Sequence, residues 1–224
     1  MNTFVLKLIA ISAMLIDHIG ATMVPSNTLL YLIMRSIGRL AFPLFVFMIV
    51  EGFHHTSDIK KYLIRLGLFA IISEVPFDLA FYNTVLEGGH QNVFFTLFLG
   101  LLCINLIDKM HKKYATNPFT YNFLAGLLTL FFSLFAVVLR TDYNYAGILL
   151  IVAFYLFRGN KLLTAFALFF VSAYILGNIN GLAILAIVPI IFYNGKKGKS
   201  AKYLFYVFYP GHLIVLAIIK MLMY

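Results

Sequence analysis

Seven ionisable side chains interrupt apolar stretches of this sequence: Asp17, His18, Arg35, Arg39, Glu74, Asp78 and His212. Bases, acids and cations in such surroundings suit proton transfer and the stabilisation of a developing charge. His18 fits general-base work, because an imidazole changes charge near neutral pH and a neighbour can fix its tautomer. Asp17 is a poor orienting partner, since adjacent residues point about 100° apart around a helix. A group holding His18 must therefore come from another helix. Arg35 and Arg39 lie four residues apart on one helical face, as do Glu74 and Asp78, so the two faces are complementary. Arginine–carboxylate pairing among these four and Asp17 is expected, either as a structural framework or as the lining of a polar cavity. His212 follows Tyr209-Pro210-Gly211, a sequence that predicts a bend in the last helix beside it.

These residues must be positioned by helices in a bilayer. The chain of 224 residues is 62% hydrophobic and 11% charged, with a mean hydropathy of +0.96. A soluble domain carries roughly 25% charged residues. Apolar periodicity and breakers predict an all-α, polytopic membrane bundle in a single domain over residues 1–224, with about nine transmembrane helices. The predicted spans are 4–24, 28–53, 60–82, 92–109, 119–139, 142–157, 160–177, 180–194 and 202–223. The first is too long for a signal-peptide core and lacks a small-residue cleavage site, so it is expected to be retained.

Connections alternate in charge. Lys60/Lys61, Lys109/Lys112/Lys113, Arg158/Lys161 and Lys196/Lys197/Lys199/Lys202 mark one side, whereas 24–28, 82–92 and 177–180 hold no lysine or arginine. Arg140 and Lys220 are exceptions on the other side. The basic side is expected to be cytoplasmic, with the N-terminus inside and the C-terminus outside. That topology accounts for the net charge of +9 without nucleic acid as a partner. By helix rise, Asp17 and Arg35 lie roughly 10 Å from the outer ends of their helices, Glu74 about 12 Å, Arg39 and His212 about 16 Å, and Asp78 about 6 Å. One outer layer thus holds the set.

Other candidates have plainer roles. Glu51, His54 and His55 lack the HExxH arrangement, no metal is expected, and Arg65 is placed to pair with Glu51. Asn92, Thr96, Asp142, Tyr143 and Asn144 read as helix caps. Cys103 stands alone, with no partner for a disulfide and no metal-ligand spacing. GxGxxG, P-loop and GxSxG motifs are absent, which removes the usual anchors for nucleotide hydrolysis and serine-hydrolase chemistry.

Several segments resemble the TraX family of membrane proteins. They are Leu6-Lys7-Leu8-Ile9-Ala10 with Met14-Leu15-Ile16-Asp17-His18-Ile19-Gly20, Ile37-Gly38-Arg39-Leu40-Ala41-Phe42-Pro43-Leu44-Phe45, and Glu51-Gly52-Phe53-His54-His55-Thr56. Lys61 to Leu66, Asn92 to Leu97, Tyr193 to Gly198 and Phe208 to Leu213 resemble it more weakly, and the matches run from Leu6 to Leu216. The family is associated with N-terminal acetylation of conjugative pilin and is similar to the acyltransferase type 3 group, whose first helix also carries a histidine.

The resemblance implies acetyl transfer from acetyl-CoA to an amine or hydroxyl, on a peptide N-terminus or a cell-envelope molecule, with His18 in the place of the essential histidine. His18 would act as base or carry the acetyl group. Arg35 and Arg39 would stabilise an oxyanion or hold the acids. Acetyl-CoA would approach from the cytoplasmic side, with Arg65, Lys196 and Lys197 as candidates to meet its phosphates. A transporter or flippase with a charged path, and a scaffold held by ion pairs, are the rival readings; membrane lipid is a partner in all three, and the sequence specifies no oligomeric state.

Overall fold

The computed structural model describes residues 1–175, 178–199 and 202–223, so residues 176 and 177 of the predicted seventh span lie outside it. The described chain is helical apart from one isolated bridge between Gln91 and Thr141. The helices are α1 (Thr3–Met23), α2 (Leu29–Gly38), α3 (Ala41–His55), α4 (Ile59–Tyr82), α5 (Val93–Lys113), α6 (Pro118–Val138), α7 (Asn144–Leu156), α8 (Lys161–Phe170), α9 (Ile187–Ile191) and α10 (Lys202–Met223). A wider π turn, Val171–Ile175, extends α8, and a 3₁₀ segment, Asn178–Ala186, leads into α9.

Local chemistry sets the boundaries. Asn2, Thr28, Asp58, Asn92, Asn117 and Asn160 each accept a backbone N–H at the start of the following helix, satisfying one of the free donors there. The predicted second span breaks in two at Arg39 and Leu40. Pro43 supplies the reason, since it has no N–H to give the Arg39 carbonyl four residues earlier. Pro210 removes the same bond from the Tyr206 carbonyl, yet α10 stays one helix across it.

Among the described residues, five helical stretches are long and apolar enough to cross a membrane: α1, α2 joined with α3, α5, α6 and the Phe205–Met223 part of α10. Of the nine crossings expected, these five are supported by length and composition among the described residues. Helix α7 has 13 residues and reaches about 20 Å, short of the roughly 30 Å hydrocarbon core. The 161–173 and 181–191 stretches are short too, and α4 carries Lys60, Lys61, Arg65, Glu74 and Asp78 within its 24 residues. The chain is a multi-pass membrane protein in which complete spans and shorter helices share one bundle.

The core joins Leu6, Ala10, Leu44, Leu66, Leu101, Ile104, Ile148, Ile151 and Leu213, all buried. Helix α1 packs on α2 and α3, α4 on α5 and α10, and α5 on α6 and α7. At the basic end, Thr3 and Phe4 donate backbone N–H groups to the carbonyls of Lys196 and Lys197. There too Arg158 binds Glu51 through Nε at 2.6 Å. The expected Glu51–Arg65 pair is therefore corrected: the arginine that meets Glu51 comes from the end of α7, 107 residues away.

Candidate active site

Helices α1 and α10 bring two histidines together. Nδ1 of His18 lies 2.7 Å from Nε2 of His212, and Nδ1 of His212 lies 2.7 Å from the carbonyl oxygen of Phe208 one turn earlier. Their hydrogens follow from the acceptor at the end of the chain. A carbonyl only accepts, so His212 must donate from Nδ1; its neutral ring then accepts at Nε2, and His18 must donate from Nδ1. This leaves Nε2 of His18 as an unprotonated lone pair. The rings lie nearly parallel with centroids 5.0 Å apart, and Phe81 meets the His18 ring edge-on at 5.2 Å. The backbone carbonyl of His18 is fixed as well, accepting from the Thr22 hydroxyl at 2.7 Å.

Asp17, next in the chain, faces α2 instead. Arg35 Nη1 donates to its Oδ2 at 2.8 Å, and Arg39 Nη2 reaches Oδ1 at 2.9 Å and Oδ2 at 3.1 Å. The Arg39 Nε also donates to the Arg35 carbonyl at 3.2 Å, tying the side chain to the helix end it caps. Gly38 makes this approach possible, because a Cβ there would stand 2.0 Å from Asp17 Oδ1.

Glu74 and Asp78 are not part of that ion-pair group. The expected pairing with Arg35 and Arg39 is corrected among the described residues, since both arginines meet Asp17. Glu74 accepts from the backbone and side-chain N–H groups of Asn92, and Asp78 accepts from the Glu87 N–H at 2.8 Å. These contacts fasten the 83–92 connection to α4. One oxygen of each, Oε1 and Oδ1, is buried without a hydrogen-bond partner.

A cavity of about 220 Å³ joins these groups, lined by Asp17, His18, Arg35 and Arg39 together with His90, Asp142, Tyr143 and aromatic rings of Phe42, Phe77 and Phe81. His90 and Asp142 form a second pair, with Nε2 3.3 Å from Oδ1. Side-chain exposure rises from 12% at Asp17 to 34% at Asp142 and 35% at His90, which places that pair at the mouth. The hydrogen bond to Asp142 raises the His90 pKa above the usual imidazole range, against an opposing effect of burial. Phe42 and Tyr143 stack with centroids 3.5 Å apart and close one wall.

His90, Asp142 and Tyr143 enlarge the site beyond the residues expected from spacing. Asn92 is the helix cap it was expected to be, whereas the side chain of Asp142 points to His90 and Tyr143 makes no side-chain cap. The signal available for Asp142 and His90 was an acid and a histidine in two connections on the same side of the bundle. The three candidates for phosphate contact are dispersed. Lys196 and Lys197 sit against the start of α1, which by helix rise is roughly 22 Å from His18. Arg65 lies between the two ends, over the ring of Tyr62 at 5.7 Å.

Among the described residues there is no group of three or more histidine, cysteine, aspartate or glutamate side chains able to hold a metal ion.

A probable fimbrial assembly protein, FimC of serogroup H1 from Dichelobacter nodosus, is 39% identical to this chain over a stretch that covers 46% of this chain and 45% of the relative. The match thus spans a little under half the length of that curated relative. No solved structure matches. The TraX protein family, in contrast, matches residues 3–220, a range that takes in His18, both arginines of α2 and its end, the cavity and His212. On the strength of that match this chain belongs to the TraX family.

Proposed function

We propose that this protein is an integral membrane acetyltransferase that moves the acetyl group of acetyl-CoA to an amine or hydroxyl, with His18 as general base. The observation that carries the reading is the directed hydrogen-bond chain from His18 through His212 to the Phe208 carbonyl, which leaves a basic nitrogen on a residue that lines the polar cavity. Support also comes from membership in the TraX family.

In this mechanism the acceptor N–H or O–H gives its proton to Nε2 of His18 as the acceptor atom attacks the thioester carbonyl. The imidazolium that forms is stabilised by the lone pair of His212 at Nδ1–H. Collapse of the tetrahedral species breaks the carbon–sulfur bond, and the proton on Nε2 passes to the departing thiolate. His18 is thereby returned to its starting state. Arg35, at the cavity wall with 24% of its side chain exposed, is the cation placed to meet the developing oxyanion. Arg39 holds Asp17.

The cavity is smaller than the roughly 300–1,000 Å³ typical of a pocket that encloses a whole ligand. Its size suits an acetyl group and the reacting end of an acceptor, with the nucleotide part of the donor outside it. Basic connections at the opposite end of the bundle support a cytoplasmic location for that end, an N-terminus inside and a C-terminus outside. A cavity facing outward, together with similarity to a probable fimbrial assembly protein, favours a cell-envelope or peptide acceptor.

The test is transfer of labelled acetyl from acetyl-CoA by protein reconstituted in vesicles, with peptide and envelope extracts as acceptors. General-base assistance is worth about 10²–10⁴ in rate, so His18→Ala should fold and lose at least a hundredfold. Wild-type transfer by that variant would overturn the assignment.

A further inference from the structure

Arg65 has no carboxylate partner among the described residues. Glu51, the acid nearest in expectation, is held by Arg158 and approached by His55. The Nε of Arg65 is buried with no hydrogen-bond acceptor. The guanidinium lies 5.7 Å over the ring of Tyr62 and beside Tyr206 on α10. From Ile59, the first residue of α4, it is six residues and about 9 Å along the helix. A cation at that depth with an unsatisfied donor is costly unless an anion meets it.

We propose that Arg65, backed by the Tyr62 ring and the Tyr206 hydroxyl, binds a phosphate group that enters from the basic end of the bundle. A guanidinium offers several N–H donors in a fixed plane, the arrangement that suits phosphate oxygens. Lys7 stands 5.0 Å over the ring of Phe205, next in sequence to Tyr206. A second positive charge therefore borders the first turns of α10 and adds to the attraction.

Position gives this site its meaning. Tyr206, Tyr209 and His212 recur at three-residue steps on α10, and Tyr209 and His212 both contact the ring of His18. The step from Tyr206 to His212 is six residues, or about 9 Å. Where the phosphate belongs to the acetyl donor, the proposal rests on the acetyl-transfer reading and locates the anionic part of the donor below the histidines. A phospholipid of the inner leaflet presents the same chemistry from another source.

The experiment is a thermal-stability titration of the full chain in a neutral maltoside detergent, which carries no phosphate. CoA is compared with pantetheine, and phosphatidylglycerol with dioleoylglycerol, in wild type, Arg65→Gln, Arg65→Lys and His18→Ala. A saturable rise in Tm with CoA but not pantetheine, weakened at least tenfold in Arg65→Gln and retained in His18→Ala, supports a donor phosphate. The same pattern with phosphatidylglycerol but not dioleoylglycerol supports a lipid phosphate. Arg65→Lys, which keeps the charge and loses the planar fork, should weaken either response at least threefold and carries the comparison if Arg65→Gln does not fold. No response in wild type, or equal responses in wild type and the Arg65 variants, overturns the site. Because binding is the readout, failure of acetyl transfer would leave a positive lipid result standing.

Discussion

Asp17 and Gly38 meet across α1 and α2 with no room for a single extra carbon: a Cβ on Gly38 would stand 2.0 Å from Asp17 Oδ1 and 2.3 Å from its Cβ. The carboxylate at that point receives both Arg35 and Arg39, so this close approach is what lets one acid serve two cations.

Gly38→Ala should therefore destabilise the protein even though alanine is the better helix former. Overpacking of a filled site typically costs about 1–3 kcal/mol, and displacement of Asp17 would add to it. A lowered melting temperature in detergent is expected, with Gly88→Ala, where an added Cβ meets nothing within 4 Å, close to wild type. An unchanged melt for Gly38→Ala would show that α1 and α2 do not pack in this way.

Removal of the shared acid should cost more than removal of one of its partners. Asp17→Asn leaves two guanidinium groups facing a neutral amide, whereas Arg35→Gln leaves Asp17 still held by Arg39. Breaking a buried pair from one side costs about 3–5 kcal/mol; the penalty should approach that range for Asp17→Asn and fall clearly below it for Arg35→Gln. Chemical or thermal unfolding of the two variants side by side gives the order, and the reverse order would argue against Asp17 as the hub.

His212→Phe retains a ring on α10 and deletes the acceptor that fixes the tautomer of His18. Hydrogen-bond partners of metal-bound histidines carry about 10–100-fold; with a similar share here, acetyl transfer should drop by about that factor with little change in melting temperature. The pH–rate profile should move as well, because Nδ1 of His18 loses the neighbour that stabilises its imidazolium. A profile identical to wild type would confine His212 to packing.

The mouth of the cavity should respond to pH. His90 faces Asp142 and, more distantly, Glu74, and its pKa is raised chiefly by the Asp142 hydrogen bond. A raised pKa in the folded state means that the contact stabilises fully below the ordinary imidazole value of 6.5 and is lost as pH climbs through the higher folded value. Hydrogen exchange in the 83–92 connection should accelerate across that window, beyond the intrinsic pH effect seen in a peptide of the same sequence. Asp142→Asn should remove the excess.

Local rules of helix geometry carried the sequence reading a long way and then stopped at predictable places. Four-residue spacing put Arg35 and Arg39 on one face, and the adjacency of Asp17 and His18 was enough to assign them different partners. The orienting group for His18 was expected from another helix, and His212 is that group. Spacing could not say that Glu74 and Asp78, equally well placed on their own face, would turn to Asn92 and Glu87, because backbone N–H groups in a connection compete for a carboxylate as effectively as an arginine. Nor could it find Arg158 for Glu51, a pairing set by how α3 and α7 meet. The number of crossings is hard to read for a related reason: an apolar stretch shielded by neighbouring helices has the composition of a membrane span whatever its length.

Two notches fix the height of α1 against α2: Gly38 receives Asp17, and Gly20 receives Met34, whose Cβ would be 2.9 Å from an added Cβ. A slide by one residue in either direction would drive a side chain into backbone at both points. The side of the cavity formed by these two helices is accordingly a fixed reference edge, and it carries His18. Any widening of the cavity is therefore expected from across the opening, where the 83–92 connection and the turn before α7 are clasped by His90 and Asp142. If the cavity opens, His18 is expected to stay still while that doorway moves.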